Sequence, residues 1–344
     1  GIDNFRNTAE YVINILGGDT ASQAFAQTPS GFVRAIEAIS SLGIDNFRRL
    51  VTLLSQESLC QFFIEDPAGF GEVINAISSL GMDNFEMFVN TVKAGNILEF
   101  FTASPYVSVK IIERLHQASE DGEFESVVEE INRYYFIDWE QTGSYLARIW
   151  QELGIAIWIE DMIEDVDAQP NQGDWRAIYS VLTNIPPEFL EEFEYIIFRN
   201  MAATGVCLDV GILLSPTLFY ISPGELTRVL VHELGHYVHP FCMEAFDDLH
   251  QRSYFHEDFA RLYGERNIDE DFATTFEAYM CDSQANFIRA INQALNGKPV
   301  YLEKLLLVLD LFTTGHPDYT IMCRIKGGII TEEVPVERDE EGNI

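Results

Sequence analysis

The chain has 344 residues, 47% of them hydrophobic, and a formal net charge of −34; that length leaves room for two domains, each with its own core, and the apolar share is that of a folded globular protein. Acidic residues dominate throughout: 8 basic against 19 acidic residues leave 1–135 at −11 and the remainder at −23. This surface argues against nucleic acid as a partner and favours basic segments of a protein partner, although solubility alone also explains such a charge.

The five cysteines, Cys60, Cys207, Cys242, Cys281 and Cys323, are odd in number and show no CxxC spacing, which fits a reducing, cytoplasmic compartment. No apolar run reaches membrane-spanning length, since the longest, near Leu305 to Phe312, is interrupted by Asp310. No membrane partner is expected. The chain begins at Gly1, inside a motif and without Met, which leaves room for an upstream segment or a removed signal.

Residues 1–135 repeat with a period of 38: Phe25 to Phe47 realigns without a gap on Phe63 to Phe85, and both copies contain Ala-Ile-Ser-Ser-Leu-Gly. A weaker third copy keeps Pro105 in the place of Pro29 and Pro67, and Gly1 to Phe5 is the second half of a copy whose first half is absent. Each copy reads as two helices. Thr28, Asp66 and Ser104 precede the prolines as capping residues, Gly43 and Gly81 end the first helix, and Asp45 and Asp83 can cap the second. A unit of this size cannot bury its apolar face alone, so the expected fold of 1–135 is an α-solenoid of two-helix repeats. The phenylalanines of the Asp-Asn-Phe motif are expected to pack repeat against repeat. His116 stands alone on a polar helix and is expected to be no ligand.

From 136 the pattern becomes mixed, and 136–336 is expected to form an α+β domain, followed by an acidic tail at 337–344. Ser144 to Leu153 reads as a helix and Gly154 to Ile159 as a short buried strand. Asp165 to Asp174 is a polar loop, Trp175 to Leu182 and Pro187 to Phe198 read as helices, and Gly205 to Leu214 as one strand.

Next comes the run Ile-Ser-Pro-Gly-Glu-Leu-Thr-Arg-Val-Leu-Val-His-Glu-Leu-Gly-His from Ile221 to His236. Ser222 can cap a helix, Pro223 suits its first turn, and Glu225 completes a capping-box pattern. His232 and His236, four residues apart, then share one helical face and can grip one metal ion. Glu233 lies beside them, where a carboxylate can act as general base on a metal-activated water, the division of labour in HExxH zinc hydrolases. The alternative is a buried helix whose polar groups satisfy one another. The apolar remainder of this helix, Leu226, Val229, Leu230, Val231, Leu234 and Val238, gives polar residues in its middle no other reason to be there.

Zinc needs a third protein donor. His239 is poorly placed on the same helix, and the longer HExxHxxGxxH pattern fails because His239 and Cys242 occupy its glycine and final histidine positions. His250 and His256 lie among polar and aromatic loop residues. Glu270 opens a helix anchored by Phe272, Phe276, Tyr279 and Met280, and so can present a carboxylate with little freedom; Asp269, Glu270 and Asp271 also suit the positive end of that helix.

At these residues the chain resembles the gluzincin metalloproteases of the anthrax lethal factor type. The likeness is carried by the HExxH sequence, by Tyr263-Gly264, and by Glu270, Phe272, Ala273 and Phe276, and it covers roughly 222–282. It implies a zincin-like domain that binds one Zn²⁺ through His232, His236 and Glu270, with Glu233 as general base and Tyr263 as donor to the oxyanion. An edge strand before the active helix would pair with extended substrate. One departure is Thr274, where the family often has an acidic residue. Glu277 either supplies that support or is itself the third ligand.

The C-terminal stretch reads as an apolar helix from Pro299 to Thr313 and a hairpin of Tyr319 to Ile325 with Gly328 to Val336, and the last residues as disordered. His316 sits in a Gly-His-Pro-Asp turn. The reading that unites these features is a zinc endopeptidase acting on a protein substrate that the repeats position, in the manner of a bacterial effector or toxin delivered into another cell. The alternative is an inactive zincin-like chain whose repeats serve as a protein-binding scaffold. Oligomeric state is not legible in the sequence.

Overall fold

The structure, a computed structural model, describes residues 2–92, 97–136, 139–160, 170–314, 321–326 and 329–335. It is mainly helical with a small mixed sheet, and it forms two compact units, Gly1–Glu160 and Asp161–Ile344. Among the described residues no helix is long and apolar enough to cross a membrane. Residues 165–169 of the polar loop expected at 165–174, the turn bearing His316 and the tail at 337–344 lie outside the described residues, and 172–174 of that loop are the start of a helix.

The first unit holds α1 (Ile2–Leu16), α2 (Gly18–Gln27), α3 (Pro29–Leu42), α4 (Ile44–Leu54), α5 (Gln56–Glu65), α6 (Pro67–Leu80), α7 (Met82–Val92), α8 (Ile97–Ala103), α9 (Pro105–Asp121) and α10 (Phe124–Ile131). Each 38-residue copy therefore contains three helices rather than the two expected: α3, α4 and α5, then α6, α7 and α8. The additional break falls at Ser55, whose φ of 80° no ordinary helical residue adopts. Ser55 caps α5 by accepting a bond from the Ser58 N–H at 3.4 Å. Without Gly or Pro, this break leaves no mark in the sequence.

The prolines do open α3, α6 and α9, but only Asp66 caps through its side chain, accepting from the Ala68 and Gly69 amides at 3.1 and 2.9 Å. Gly43 and Gly81, both at φ 87°, make the sharp exits from α3 and α6, so α4 and α7 start at Ile44 and Met82 and place Asp45 and Asp83 within the first turn.

Small residues bring α3 and α6 together. A Cβ on Gly71 would stand 3.1 Å from the Ala35 nitrogen, and one on Gly31 would stand 3.0 Å from that of Ala68. Rings fill the space around this crossing, with Phe63 at 5.7 Å from Phe32 and 5.1 Å from Phe70 between centroids. Phe47 and Phe85 are fully buried, as expected of packing residues. Burying each is worth about 1.5–3 kcal/mol. The exposed bridges from Arg49 to Asp83 and Glu86, at 2.8 and 2.7 Å, add about 0–1 kcal/mol each, so apolar packing holds the repeats together.

The unit continues through a π-helical turn (Asn132–Phe136), α11 (Trp139–Thr142), α12 (Tyr145–Leu153) and β1 (Ala156–Ile159). Phe100 packs on Tyr135 and Trp150 with centroids 5.2 and 4.5 Å apart, and the Tyr135 hydroxyl donates to the Ile157 carbonyl. Residues 136–160, placed by the sequence with the second domain, thus pack with the repeats.

The second unit contains α13 (Gln172–Leu182), β2 (Tyr195–Phe198), β3 (Gly205–Leu208), β4 (Gly211–Leu214), α14 (Leu218–Ile221), α15 (Pro223–Val238), α16 (Met243–Gln251), α17 (Ile268–Leu295), α18 (Val300–Thr314), β5 (Ile321–Lys326) and β6 (Ile329–Pro335). The expected helix at Pro187 to Phe198 is instead a 3₁₀ turn, Pro187–Phe189, leading to β2, because Tyr195, Ile196, Ile197 and Phe198 are buried on both faces. Likewise Gly205 to Leu214 is two strands. Asp209-Val210 forms the connection, with Leu208 opposite Gly211 and Gly205 opposite Leu214. β4 runs parallel to β2 and antiparallel to β3, and β3 ends the sheet. The expected C-terminal hairpin is present as β5 paired antiparallel with β6.

Gly71→Val should overpack the α3 and α6 crossing and cost about 1–3 kcal/mol of stability in chemical denaturation. Gly18→Val, at a position with no neighbour within 4 Å, should stay within about 0.5 kcal/mol of the parent.

Candidate metal centre

α15 begins as its sequence prescribes, with the Ser222 hydroxyl accepting from the Glu225 N–H at 3.1 Å. Glu225 does not close the capping box and instead pairs with Arg228. The helix packs on α17 at Gly235, where a Cβ would come within 2.8 Å of the Ala273 Cα and 3.2 Å of the Phe276 Cβ. This near-contact of backbones brings the start of α17 beside the two histidines.

Glu270 Oε2 lies 3.2 Å from His232 Nε2 and 3.5 Å from His236 Nε2. All three ligand atoms fall within 4.8 Å of one another, and the Glu270 Oε2 atom is buried without a hydrogen-bond partner. Tetrahedral zinc with bonds of about 2.0–2.1 Å would hold its ligand atoms about 3.3 Å apart. The trio therefore fits a zinc ion in both donor chemistry and spacing. The expected third donor, Glu270, is the carboxylate that joins the histidines.

Glu233 projects from the same helix and is 7% exposed. Burial pushes its carboxyl up to about 7, the His232 charge opposes that rise, Glu270 adds to it, and the Cys207 backbone N–H bonds the carboxylate and lowers it again. β3 reaches Glu233 closely enough that a Cβ on Gly205 would overlap its Oε1, Cγ and Cδ at 2.5–2.8 Å. His232 titrates above the usual range: burial works against this, and the Glu277 hydrogen bond with the Glu233 and Glu270 charges outweighs it. Burial and the neighbouring His232 hold His236 low.

Tyr263 lies in a 3₁₀ turn, Leu262–Glu265, and is 40% exposed. Its hydroxyl titrates above the usual range through burial and Glu270, to which it hydrogen-bonds, and the Arg266 guanidinium sits 4.0 Å over its ring. Gly264 seats the turn on α17, where a Cβ would be 2.8 Å from Thr274 Oγ1 and 3.1 Å from the Asp271 Cα. The trio, Glu233 and Tyr263 line a cleft of about 680 Å³, together with residues 205–209 of the β3 region. Glu192, Asp209 and Asp269 add carboxylates to its wall, and the lining includes no lysine or arginine.

The other candidates are engaged elsewhere. His239 Nδ1 lies 3.0 Å from Asp269 Oδ1 with its ring stacked on Phe272, His256 pairs with Glu265, and His250 Nδ1 lies 2.7 Å from Asp271 Oδ2. Glu277 lies behind His232, with Oε2 3.4 Å from Nδ1, and is not part of the trio.

Lys304 was not among the residues expected to matter. Its Nζ is fully buried, 2.5 Å from Asp271 Oδ2 and 3.0 Å from the Asp258 carbonyl oxygen, and 4.3 Å from the centre of the Phe259 ring. Burial lowers the lysine and raises the aspartate, while their attraction opposes both shifts. The pair ties α18 to the residue next to Glu270. A lysine within the apolar run of α18 was the available signal.

No protein-family model matches the chain, and neither a curated protein nor a solved structure matches it.

The purified chain should hold about one zinc per molecule by elemental analysis, and His236→Ala and Glu270→Ala none. Zinc retained at full occupancy by Glu270→Ala would place the third ligand elsewhere. Lys304→Met should lose about 3–5 kcal/mol in chemical denaturation, because Asp271 is then a buried carboxylate without its cation; a loss below about 1 kcal/mol would show that the pair carries no such role.

Proposed function

We propose that the chain is a gluzincin-like zinc endopeptidase, and the observation that carries this is the His232, His236 and Glu270 trio with Glu233 beside it. In this reading the second unit is a zincin-like catalytic domain, and the repeats of the first form an α-solenoid that holds or positions a protein substrate. Bound zinc would supply Lewis acidity and make water acidic enough to lose a proton near neutral pH.

Glu233 is suited to take that proton. Its burial raises the carboxyl to about 7 in the metal-free chain, a rise that bound zinc would oppose, and the same group can return the proton to the leaving amine. Tyr263, at the rim of the cleft beside Glu270, would donate to the carbonyl oxygen as negative charge develops there. β3 ends the sheet along the cleft, and the part of its outer edge not taken by the Cys207 amide's bond to Glu233 can take up extended substrate through backbone hydrogen bonds. The carboxylates of the cleft wall favour basic segments of that substrate. Cys60, Cys207, Cys242 and Cys281 are unpaired, which supports work in a reducing compartment such as cytoplasm and is compatible with delivery into another cell.

Glu233→Gln should keep zinc at the parent level and lower cleavage of an unfolded protein substrate by at least about 10²-fold, read by gel and mass spectrometry. Cleavage at the parent rate by that variant would reject the mechanism. Zinc present in the parent with no peptide bond cut in any substrate would favour the scaffold reading.

A further inference from the structure

α17 carries two carboxylates seven residues apart, Glu270 and Glu277, and therefore two turns apart on one face. The His232 ring lies between them. Its Nε2 is 3.2 Å from Glu270 Oε2, and its Nδ1 is 3.4 Å from Glu277 Oε2. Glu277 is 1% exposed and is held from two further sides: Arg261 Nη2 is 2.5 Å from Oε1, and Arg228 Nη1 is 3.5 Å from both oxygens. Two guanidiniums around one buried carboxylate fix its position.

We infer that Glu277 is the positioning residue for His232: it accepts the Nδ1 proton, and so turns the Nε2 lone pair toward the metal position. This rests on the zinc reading above and adds a residue to it. A ligating imidazole generally needs such a partner on its other nitrogen, since the partner sets the tautomer, limits rotation and makes the ligand nitrogen more basic. Thr274 does not serve. Its Oγ1 turns back to its own helix, bonding the Glu270 and Asp271 carbonyl oxygens at 2.7 and 3.2 Å. The support that an acidic residue at 274 would give is thus supplied from the next turn of the helix. Arg228 joins the arrangement from α15 itself, one turn before His232, and links Glu277 to Glu225 in the first turn.

The test uses the full chain labelled with ¹⁵N-histidine. The imidazole spectrum should show a proton on Nδ1 of His232, assigned by His232→Gln, in the zinc-loaded protein, and Glu277→Gln should shift that resonance. In competition with a chromophoric chelator, Glu277→Gln should bind zinc about 10–100-fold more weakly, and Glu277→Leu more weakly still. Melting of the zinc-free variants separates this effect from a general loss of fold. Should both variants fail to fold, the parent spectrum decides alone. Nδ1 of His232 without a proton would overturn the inference, as would a folded Glu277→Gln with zinc affinity within about twofold of the parent. A parent that takes up no zinc would instead defeat the proposed function and, with no ligand to orient, the inference with it, whereas a zinc-loaded parent that fails either arm above defeats the inference alone.

Discussion

The second unit depends on the close crossing of α15 and α17 at Gly235. With no side chain at that position, the backbone of α17 approaches until a Cβ there would be 2.8 Å from the Ala273 Cα. An ordinary pair of helices packs 8–10 Å apart between axes, and the lower end of that range requires small residues at the contact. The consequence for chemistry lies on either side of the crossing. Glu270, three residues before Ala273, reaches the Nε2 atoms of both histidines, and Glu277, four residues after it, reaches Nδ1 of His232. Moving the helices apart by one methyl group would loosen both contacts together. In the sequence His-Glu-Leu-Gly-His, the glycine is therefore as much a part of the geometry as the histidines.

Two charge clusters, each built on a buried carboxylate, fix the ends of this arrangement. Lys304 and Asp271 hold the first turn of α17, and Glu277 with Arg228 and Arg261 holds its third. Neither cluster is a cheap source of stability. Desolvating each of the buried ions, Lys304, Asp271 and Glu277, costs several kcal/mol, and a well-packed apolar substitute would often serve stability as well or better. What they supply is direction. A leucine in place of Glu277 could fill the volume but could not define which nitrogen of His232 carries the proton, and an apolar residue at 304 would not hold Asp271 beside Glu270. The orphaned Oδ1 of Asp271, buried without a partner, belongs to the same trade of stability for position.

The sequence made the candidate site legible because metal chemistry leaves local marks. Two histidines one helical turn apart, a glutamate between them and a carboxylate opening a later anchored helix are brought together by the fold, and Tyr263 lines the same cleft. Partners set by tertiary geometry left weaker marks. Glu277 showed its spacing from Glu270 but not which atom it would face, and Lys304 looked like one charge in an apolar helix. The fold followed the same division. The 38-residue period and the prolines that open α3, α6 and α9 were visible, because Pro and Gly act through the local backbone. The break at Ser55 was not, since packing imposes an unfavourable φ on a residue with no special liking for it. Glu-rich residues before Tyr195 suggested a helix, and burial of both faces of Tyr-Ile-Ile-Phe overrode that local preference in favour of β2.

Gly205 joins the outer edge of the sheet to the proposed proton carrier. β3 ends the sheet, and at Gly205 and Cys207 the strand closes over Glu233. That cover is one source of the burial that raises the Glu233 carboxyl, and the His232 charge and then the Cys207 amide limit the rise. A dication at the trio would draw the same carboxyl back toward its charged form. The proton affinity of Glu233 is thus set by opposing effects, from a strand on one side and the metal position on the other. A substrate lying along β3 would exclude further water from this corner and strengthen each of those interactions. On this geometry, binding at the edge strand and the readiness of Glu233 to exchange a proton are physically coupled, because one short segment of backbone takes part in both.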